Sequence, residues 1–276
     1  MRLRQGCHRS NGAADGPAHQ EEKQGGMGKR QRLDVLLVER QLVGSREEGR
    51  RKILAGEVLV NDQLVTKAGC LIDRGFEVRV KSPSRYVGRG GFKLEKALSE
   101  FAIDVCGKTA LDVGASTGGF TDCLLIHGAV RVVAIDVGYG QLDWKLRNDP
   151  RVVVFEKTNI RYFEPSALSF SPDIAAVDVS FISLKLVLPC VKNLLSQGGE
   201  IVALIKPQFE VGKGKVGKGG VVRSPEEHQR VIEEIKAASA DLGYFISGVT
   251  ESPLLGPKGN REFLIYLTPD RRRPLQ

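Results

Sequence analysis

The run Thr109-Ala-Leu-Asp-Val-Gly-Ala-Ser-Thr-Gly-Gly-Phe120 constrains the fold more than any other part of the chain. An apolar, β-branched stretch ends in an acidic residue, turns through glycines and passes into a helical pattern. Gly114, Gly118 and Gly119 permit a tight turn and let a ligand approach the backbone at a helix N-terminus. Strand candidates then recur at residues 109–113, 130–136, 152–156, 174–178 and 200–206, with room for helices between them. That rhythm predicts a mostly parallel α/β sheet wound on both faces. A last pair, 244–250 and 262–268, is joined by a stretch containing Pro and Gly and predicts a closing antiparallel hairpin.

Asp136 ends the second strand candidate, where a carboxylate can accept both hydroxyls of a ligand ribose. The glycine spacing is not the G-x-G-x-x-G of dinucleotide enzymes, and no G-K-[ST] follows for a triphosphate. A nucleoside cofactor without a phosphate chain fits, and S-adenosyl-L-methionine fits best.

A chain of 276 residues predicts about two domains. Residues 1–31 carry no periodicity and are expected to be a disordered extension, neither a secretory signal nor a transit peptide, with Met27 a possible true start. Residues 32–84 read as a small α+β unit: two short helices, the second capped by Ser45 and closed by Gly56, then short strands. Residues 85–92, with Gly88, Gly90 and Gly91, are expected to be a linker, 93–268 the α/β domain and 269–276 a basic tail. Lys and Arg outnumber Asp and Glu by 8, with a pI near 9.3, so a polyanion is the expected partner. The basic residues Arg46, Arg50, Arg51 and Lys52 cluster in the second helix, where 46 and 50 share a face suited to phosphates. Arg85 and Arg89 add charge at the expected linker. The five cysteines include no C-x-x-C pair, so neither a disulfide framework nor a metal site is expected. No apolar run approaches the ~18 residues of a membrane-spanning helix.

Within the α/β domain, Asp178-Val-Ser-Phe181 lacks the Pro-Pro-aromatic sequence used on exocyclic amines. Cys190 lies too far beyond the fourth strand to be the nucleophile of carbon-5 chemistry. Lys93 opens the helix before the first strand, Lys206 ends the fifth, and Glu262 opens the last. The segment 206–220 interleaves glycines with Lys213, Lys215 and Lys218, as a lid over RNA phosphates requires.

Several of these motifs carry resemblances. S-R-E-E-G-R-R-K-I-L-A-G-E-V-L-V-N-D resembles the alpha-L RNA-binding motif of a small-subunit ribosomal protein, pseudouridine synthases and a tRNA synthetase. D-V-G-A-S-T-G-G-F followed by A-I-D resembles the class I methyltransferase signature. That likeness implies that Gly114, Ala115, Gly118, Gly119 and Phe120 lie beside the amino acid part of the cofactor. It places Asp136 on the ribose, Val137 and Tyr139 against adenine, and Asn159 at the adenine edge. Lys93, Asp178, Lys206 and Glu262 match the K-D-K-E tetrad of FtsJ-type ribose 2′-O-methyltransferases. In that reading Asp178 orients Lys206, which acts either as a neutral base or as a steering cation, while Glu262 and Lys93 hold the hydroxyl and its flanking phosphate.

From residue 32 to 268 the order of S-R-Y-V-G-R-G-G-F-K-L, D-V-G-Y-G-Q-L, V-D-V-S-F-I-S-L, K-P-Q-F-E-V-G-K and G-P-K-G-N-R-E-F resembles the TlyA family, once labelled hemolysins and understood as ribosomal RNA cytidine 2′-O-methyltransferases. The resemblance implies 2′-O-methylation of ribose at cytidine, ribosomal RNA or a ribosomal subunit as partner, and a cytoplasmic location. Neither DNA nor membrane is an expected partner. The short C-terminal end, without the extension of members that modify both subunits, leads us to expect the large subunit alone. A membrane-active hemolysin would want a secretion signal and an insertion segment, and neither is present. An inert RNA-binding assembly factor would be expected to have lost part of the tetrad or the cofactor loop.

Overall fold

The computed structural model describes residues 30–81, 84–212, 216–217 and 219–270. The chain divides into two compact units, Met1–Pro83 and Ser84–Gln276.

In the first unit β1 (Arg30–Arg32) leads directly into α1 (Leu33–Glu39), and α2 (Arg46–Leu54) packs on it. Ser45 caps α2 by accepting from the Glu48 N–H at 3.2 Å. The strands β2 (Val58–Val60), β3 (Gln63–Leu64) and β5 (Val78–Val80) form one antiparallel sheet in the order β3-β2-β5. The strand β4 (Leu71–Asp73) pairs instead with β1. Leu33, Leu36, Leu37, Ile53, Val58 and Val78 close a small core beneath both helices. Ordered chain therefore includes Arg30 and Gln31, which the sequence reading assigned to the disordered extension. Arg-Gln-Arg carries no apolar alternation, and its strand exists only because Leu71–Asp73 offers it a partner.

The second unit opens with α3 (Gly90–Glu100) and builds a seven-stranded sheet. Its strands are β6 (Thr109–Val113), β7 (Arg131–Ile135), β8 (Val152–Phe155), β9 (Ile174–Val177), β10 (Glu200–Ile205), β11 (Tyr244–Glu251) and β12 (Phe263–Pro269), in the order β11-β12-β10-β9-β6-β7-β8. Five strands are parallel, and β12 runs antiparallel between β10 and β11. The central strands are apolar on both sides because both faces are covered. Ala110, Val132 and Val202 pack with α3 and α4 (Gly119–Ile126), whereas Leu111, Val133 and Ile201 pack with α6 (Leu184–Leu194) and α8 (Pro225–Asp241). Two short helices, α5 (Trp144–Arg147) and α7 (Pro207–Glu210), complete the unit.

Residues 85–92 are not a linker. Tyr86 is buried in the α3–α4 core and Val87 donates its N–H to Asp122 Oδ2 at 2.9 Å. The glycines that suggested flexibility serve close packing. A Cβ on Gly119 would lie 2.8 Å from Gly91 N, and one on Gly91 would collide with the Tyr86 ring. At the other end of the unit, Pro269, the first residue of the expected tail, belongs to β12; residues 271–276 lie outside the described residues.

Candidate active site

The parallel strands deliver their C-terminal ends to one edge of the sheet, and the topology reverses between β6 and β9, the place where open α/β sheets bind ligands. Gly114, just past β6, adopts φ +88°, and a Cβ there would strike the carbonyl of Asp178, just past β9. Glycine at 114 is thus what lets the two strand ends close together. Beside them opens a cavity of about 750 Å³, lined among others by Gly114, Ser116, Asp136, Val137, Asn159 and Asp178. Asp136 Oδ2 accepts from Ser116 N at 2.8 Å and Oδ1 from Gly138 N at 2.6 Å, which fixes the carboxylate on the cavity wall. Gln141 also lines the cavity and its Oε1 accepts from Ser116 Oγ at 3.3 Å. Nothing in the sequence marks this residue, since a lone glutamine carries no signal.

Other residues expected beside the cofactor are placed differently. Gly118 (φ +95°) is packed under Leu142 and Leu146, Gly119 abuts Gly91, and Phe120 is buried against Gly90, so these three shape the turn from behind. Ala115 faces a small void behind Asp136. Tyr139 is exposed outside the cavity lining, with Lys157 Nζ 4.4 Å from its ring centroid.

Asp112 within β6 is wholly buried and accepts from Thr121 Oγ1 at 2.6 Å. Burial pushes its carboxyl up to about 7, against the pull of that hydrogen bond and with the negative charge of Asp178 adding to the rise.

The four residues of the expected tetrad lie at strand and helix ends as two ion pairs. Lys206, just past β10, places Nζ 2.5 Å from Asp178 Oδ1 and donates to Ser180 Oγ at 2.9 Å. Lys93 of α3 places Nζ 2.6 Å from Glu262 Oε2, and both residues are buried. The pairing of Ile205 with Phe263 brings Lys206 and Glu262 to neighbouring ends of β10 and β12. Gln208 Nε2, 3.4 Å from Glu262 Oε1, links the two pairs through the segment that follows Lys206. Ser180 and Gln208 were not singled out from sequence.

A third carboxylate holds this arrangement. Glu210 of α7 accepts from Ser183 Oγ at 2.6 Å and from Leu184 N at 2.8 Å, capping α6 from another segment and tying the Lys206 loop to the Asp178 loop. Burial pushes its carboxyl upward. Between Ser180 and Ser183, Phe181 stands almost fully exposed at the cavity wall with φ +63°, a backbone state that a bulky residue rarely adopts, its ring 4.9 Å from Phe209.

Of the basic residues expected to meet RNA, Arg50 and Arg51 are exposed on α2. Arg46 donates its Nε to Asp34 Oδ2 at 3.0 Å, Lys52 pairs with Glu57, Arg85 pairs with Glu95, and Arg89 donates to the Leu255 carbonyl. Lys213, Lys215 and Lys218 lie outside the described residues. Among the described residues no cluster of His, Cys, Asp and Glu could hold a metal ion, and no helix is long and apolar enough to cross a membrane.

Comparison with known proteins bears on the same geometry. Residues 86–268 match the FtsJ-like methyltransferase family and residues 31–78 match the S4 domain. The chain is 52% identical to the Bacillus subtilis protein named "Putative rRNA methyltransferase YqxC", over 87% of this chain and 86% of that one. It is 46% identical to a Mycobacterium tuberculosis protein named 16S/23S rRNA (cytidine-2′-O)-methyltransferase TlyA, covering 90% of this chain and 94% of the relative. A solved structure described as "Putative hemolysin from Streptococcus thermophilus" superposes with a TM-score of 0.68 at 44% identity, over 88% of this chain and 90% of that one.

Proposed function

Because the chain belongs to the TlyA family of FtsJ-like methyltransferases, we propose that it transfers a methyl group from S-adenosyl-L-methionine to the 2′-hydroxyl of a cytidine ribose in ribosomal RNA, in the cytoplasm. The observation that carries this reading is the joining of Lys206 to Asp178, a residue that lines the same cavity as Asp136.

The residues present fit the cofactor. The backbone at Gly114 has no side chain to block close approach, Asp136 is fixed as a ribose acceptor, and Val137 and Asn159 line the cavity beyond it for adenine. When bound, S-adenosyl-L-methionine supplies an electrophilic methyl on a sulfonium. The chain's own residues do the rest. A ribose hydroxyl is a weak acid and a weak nucleophile, so catalysis rests on alignment and on charge placed where the oxygen reacts. Lys206, held by Asp178 and Ser180, directs its remaining N–H at the hydroxyl oxygen. Asp178 is the nearest carboxylate for the released proton. Lys93 and Glu262 fix the adjoining wall, and Phe181 offers an aromatic face to the base of the target nucleotide.

The first unit serves as the RNA-docking module, with Arg50 and Arg51, which have no carboxylate partner among the described residues, as phosphate contacts on α2. Unpaired charge at those positions adds affinity without reading sequence.

The test is transfer of labelled methyl to ribosomal RNA followed by alkaline hydrolysis, which spares the bond next to a 2′-O-methyl ribose. Label in an alkali-resistant dinucleotide carrying cytidine supports the reading. Label on a base sinks it.

A further inference from the structure

Tyr139 leaves the cavity it was expected to line, and its surroundings suggest another use. It sits in the loop after β7, with the Lys157 ammonium over its ring at 4.4 Å. The loop after β8 is laced to the loop after β7 by Lys157 N–H to the Gly138 carbonyl and Thr158 N–H to the Asp136 carbonyl, each 2.9 Å. Three residues further on, Arg161 stands over the exposed Tyr162 ring at 5.2 Å and also lines the cavity. Trp144, the only tryptophan of the chain, opens α5 and is exposed as well. That helix is fastened to the same place, because Glu156 accepts both from Arg147 Nη2 at 2.6 Å and from Gly140 N at 2.8 Å.

Three large exposed aromatic rings thus sit on the segments that follow β7 and β8, which hydrogen bonds and the Arg147–Glu156 pair tie to one another, and Arg161 beside Tyr162 reaches the cavity lining. Neither Lys157 nor Arg161 has a carboxylate partner among the described residues. Exposed aromatic rings that pack on nothing apolar cost hydration free energy, and a folded domain normally buries them. Rings interleaved with unpaired cations are what a single-stranded polyanion with π-faces recognises: bases stack on the rings while the cations meet phosphates.

We propose that Tyr139, Trp144 and Tyr162, with Lys157 and Arg161, form a stacking platform on the methyltransferase unit for unpaired nucleotides flanking the one in the cavity. The proposal rests on the RNA reading above and adds a second contact surface to that of the first unit. A duplex hides its base faces, so the platform selects an opened strand and would hold the target region unpaired.

Intrinsic fluorescence of Trp144 tests this in the full chain. A mixed-sequence single-stranded RNA of about 12 nucleotides, titrated with the cofactor product S-adenosylhomocysteine already saturating, should quench the emission in a saturable way, and a duplex of the same length should not. Replacing both Tyr139 and Tyr162 by Ala should weaken single-strand binding about tenfold or more while leaving the dependence of affinity on salt unchanged, because stacking releases no counterions. Phe at both positions should restore binding. Unchanged emission, equal quenching by the duplex, or unaltered affinity of the double Ala variant would overturn the platform. So would an emission change that requires ribosomal particles and is absent with naked RNA, which would mean a protein contact. Methyl transfer by the wild-type chain, measured in parallel, separates the two readings. Activity with an inert platform refutes the platform alone, and absent activity refutes the enzyme.

Discussion

Lys93 and Glu262, 169 residues apart in the chain, meet at 2.6 Å with the Glu262 side chain fully excluded from solvent. A buried pair of this kind holds the first helix and the last strand of the second unit together at the site. Removing one partner leaves the other charge buried and uncompensated, at a cost of about 3–5 kcal/mol. Glu262→Gln or Lys93→Met alone should therefore lower the melting temperature clearly, and the double variant should recover part of the loss. Additive losses in the double variant would contradict a direct pair.

Asp34 gives the first unit a pH dependence. It is buried in α1 between Arg32 and Arg46, whose guanidinium groups hold its carboxyl down at about 2 against an ordinary 3.8. A carboxyl lowered in the folded state contributes stability that is complete above about pH 4 and is lost as pH falls toward 2. Both guanidinium groups are about half exposed, so solvent screening holds the contribution to about 1 kcal/mol. Amide protection factors across α1 and α2, with the intrinsic pH dependence of exchange divided out, should fall through that window, and Asp34→Asn should be less protected at neutral pH but without the step. An undiminished step in the variant would place the acid sensitivity elsewhere.

Asp136 is the expected ribose acceptor. Asp136→Ala should weaken S-adenosyl-L-methionine binding at least tenfold by calorimetry, the reach of a charge-assisted hydrogen bond. The same substitution also frees the Ser116 and Gly138 N–H groups. Asp136→Asn, which can still accept, should lose less than Ala; equal losses would argue that the turn has collapsed.

Lys206→Ala should reduce single-turnover methyl transfer by ~10²-fold or more with cofactor affinity nearly unchanged. Lys206→Arg distinguishes alignment from proton abstraction, since a guanidinium keeps the charge and cannot act as a base near neutral pH. Partial activity in the Arg variant is expected from the contacts of Lys206 with Asp178 and Ser180. An Arg variant as inactive as Ala would mean that a neutral amine is needed.

Phe181 holds a left-handed backbone at the cavity mouth, a state that costs a bulky residue about 1–3 kcal/mol. Phe181→Gly should relieve that strain, leaving thermal stability equal or higher, while transfer to RNA falls about tenfold. Lower stability together with normal transfer would show that the ring serves packing instead.

Much of this protein was legible in its residues because the signals are local. The sheet rhythm, the glycine turn after β6, the acidic ends of β7 and β9, and the basic second helix all depend on spacings of a few residues, and motif order then named the family. The tetrad was assigned by order alone, since residues 93, 178, 206 and 262 share no local pattern.

What tertiary structure decided is how those residues pair, and the reason is that pairing depends on chain segments far apart in sequence. Glycines at 88, 90 and 91 read as a linker, yet a Cβ at 91 would collide with the Tyr86 ring, and those at 88 and 90 would stand 2.4 Å from the Thr117 hydroxyl and 3.3 Å from the Phe120 ring. Arg46 and Lys52 read as free RNA-facing charge, yet Asp34 and Glu57 claim them. Tyr139 read as an adenine neighbour from its place after Asp136, yet its loop turns it outward toward Lys157. The sequence by itself determined the fold class and the family and nominated the site residues, because hydrophobic period and turn chemistry are written along the chain. Only the folded sheet decided which charges are neutralised, which rings are exposed and which glycines are obligatory. Those properties follow from distances between atoms that the order of residues does not contain.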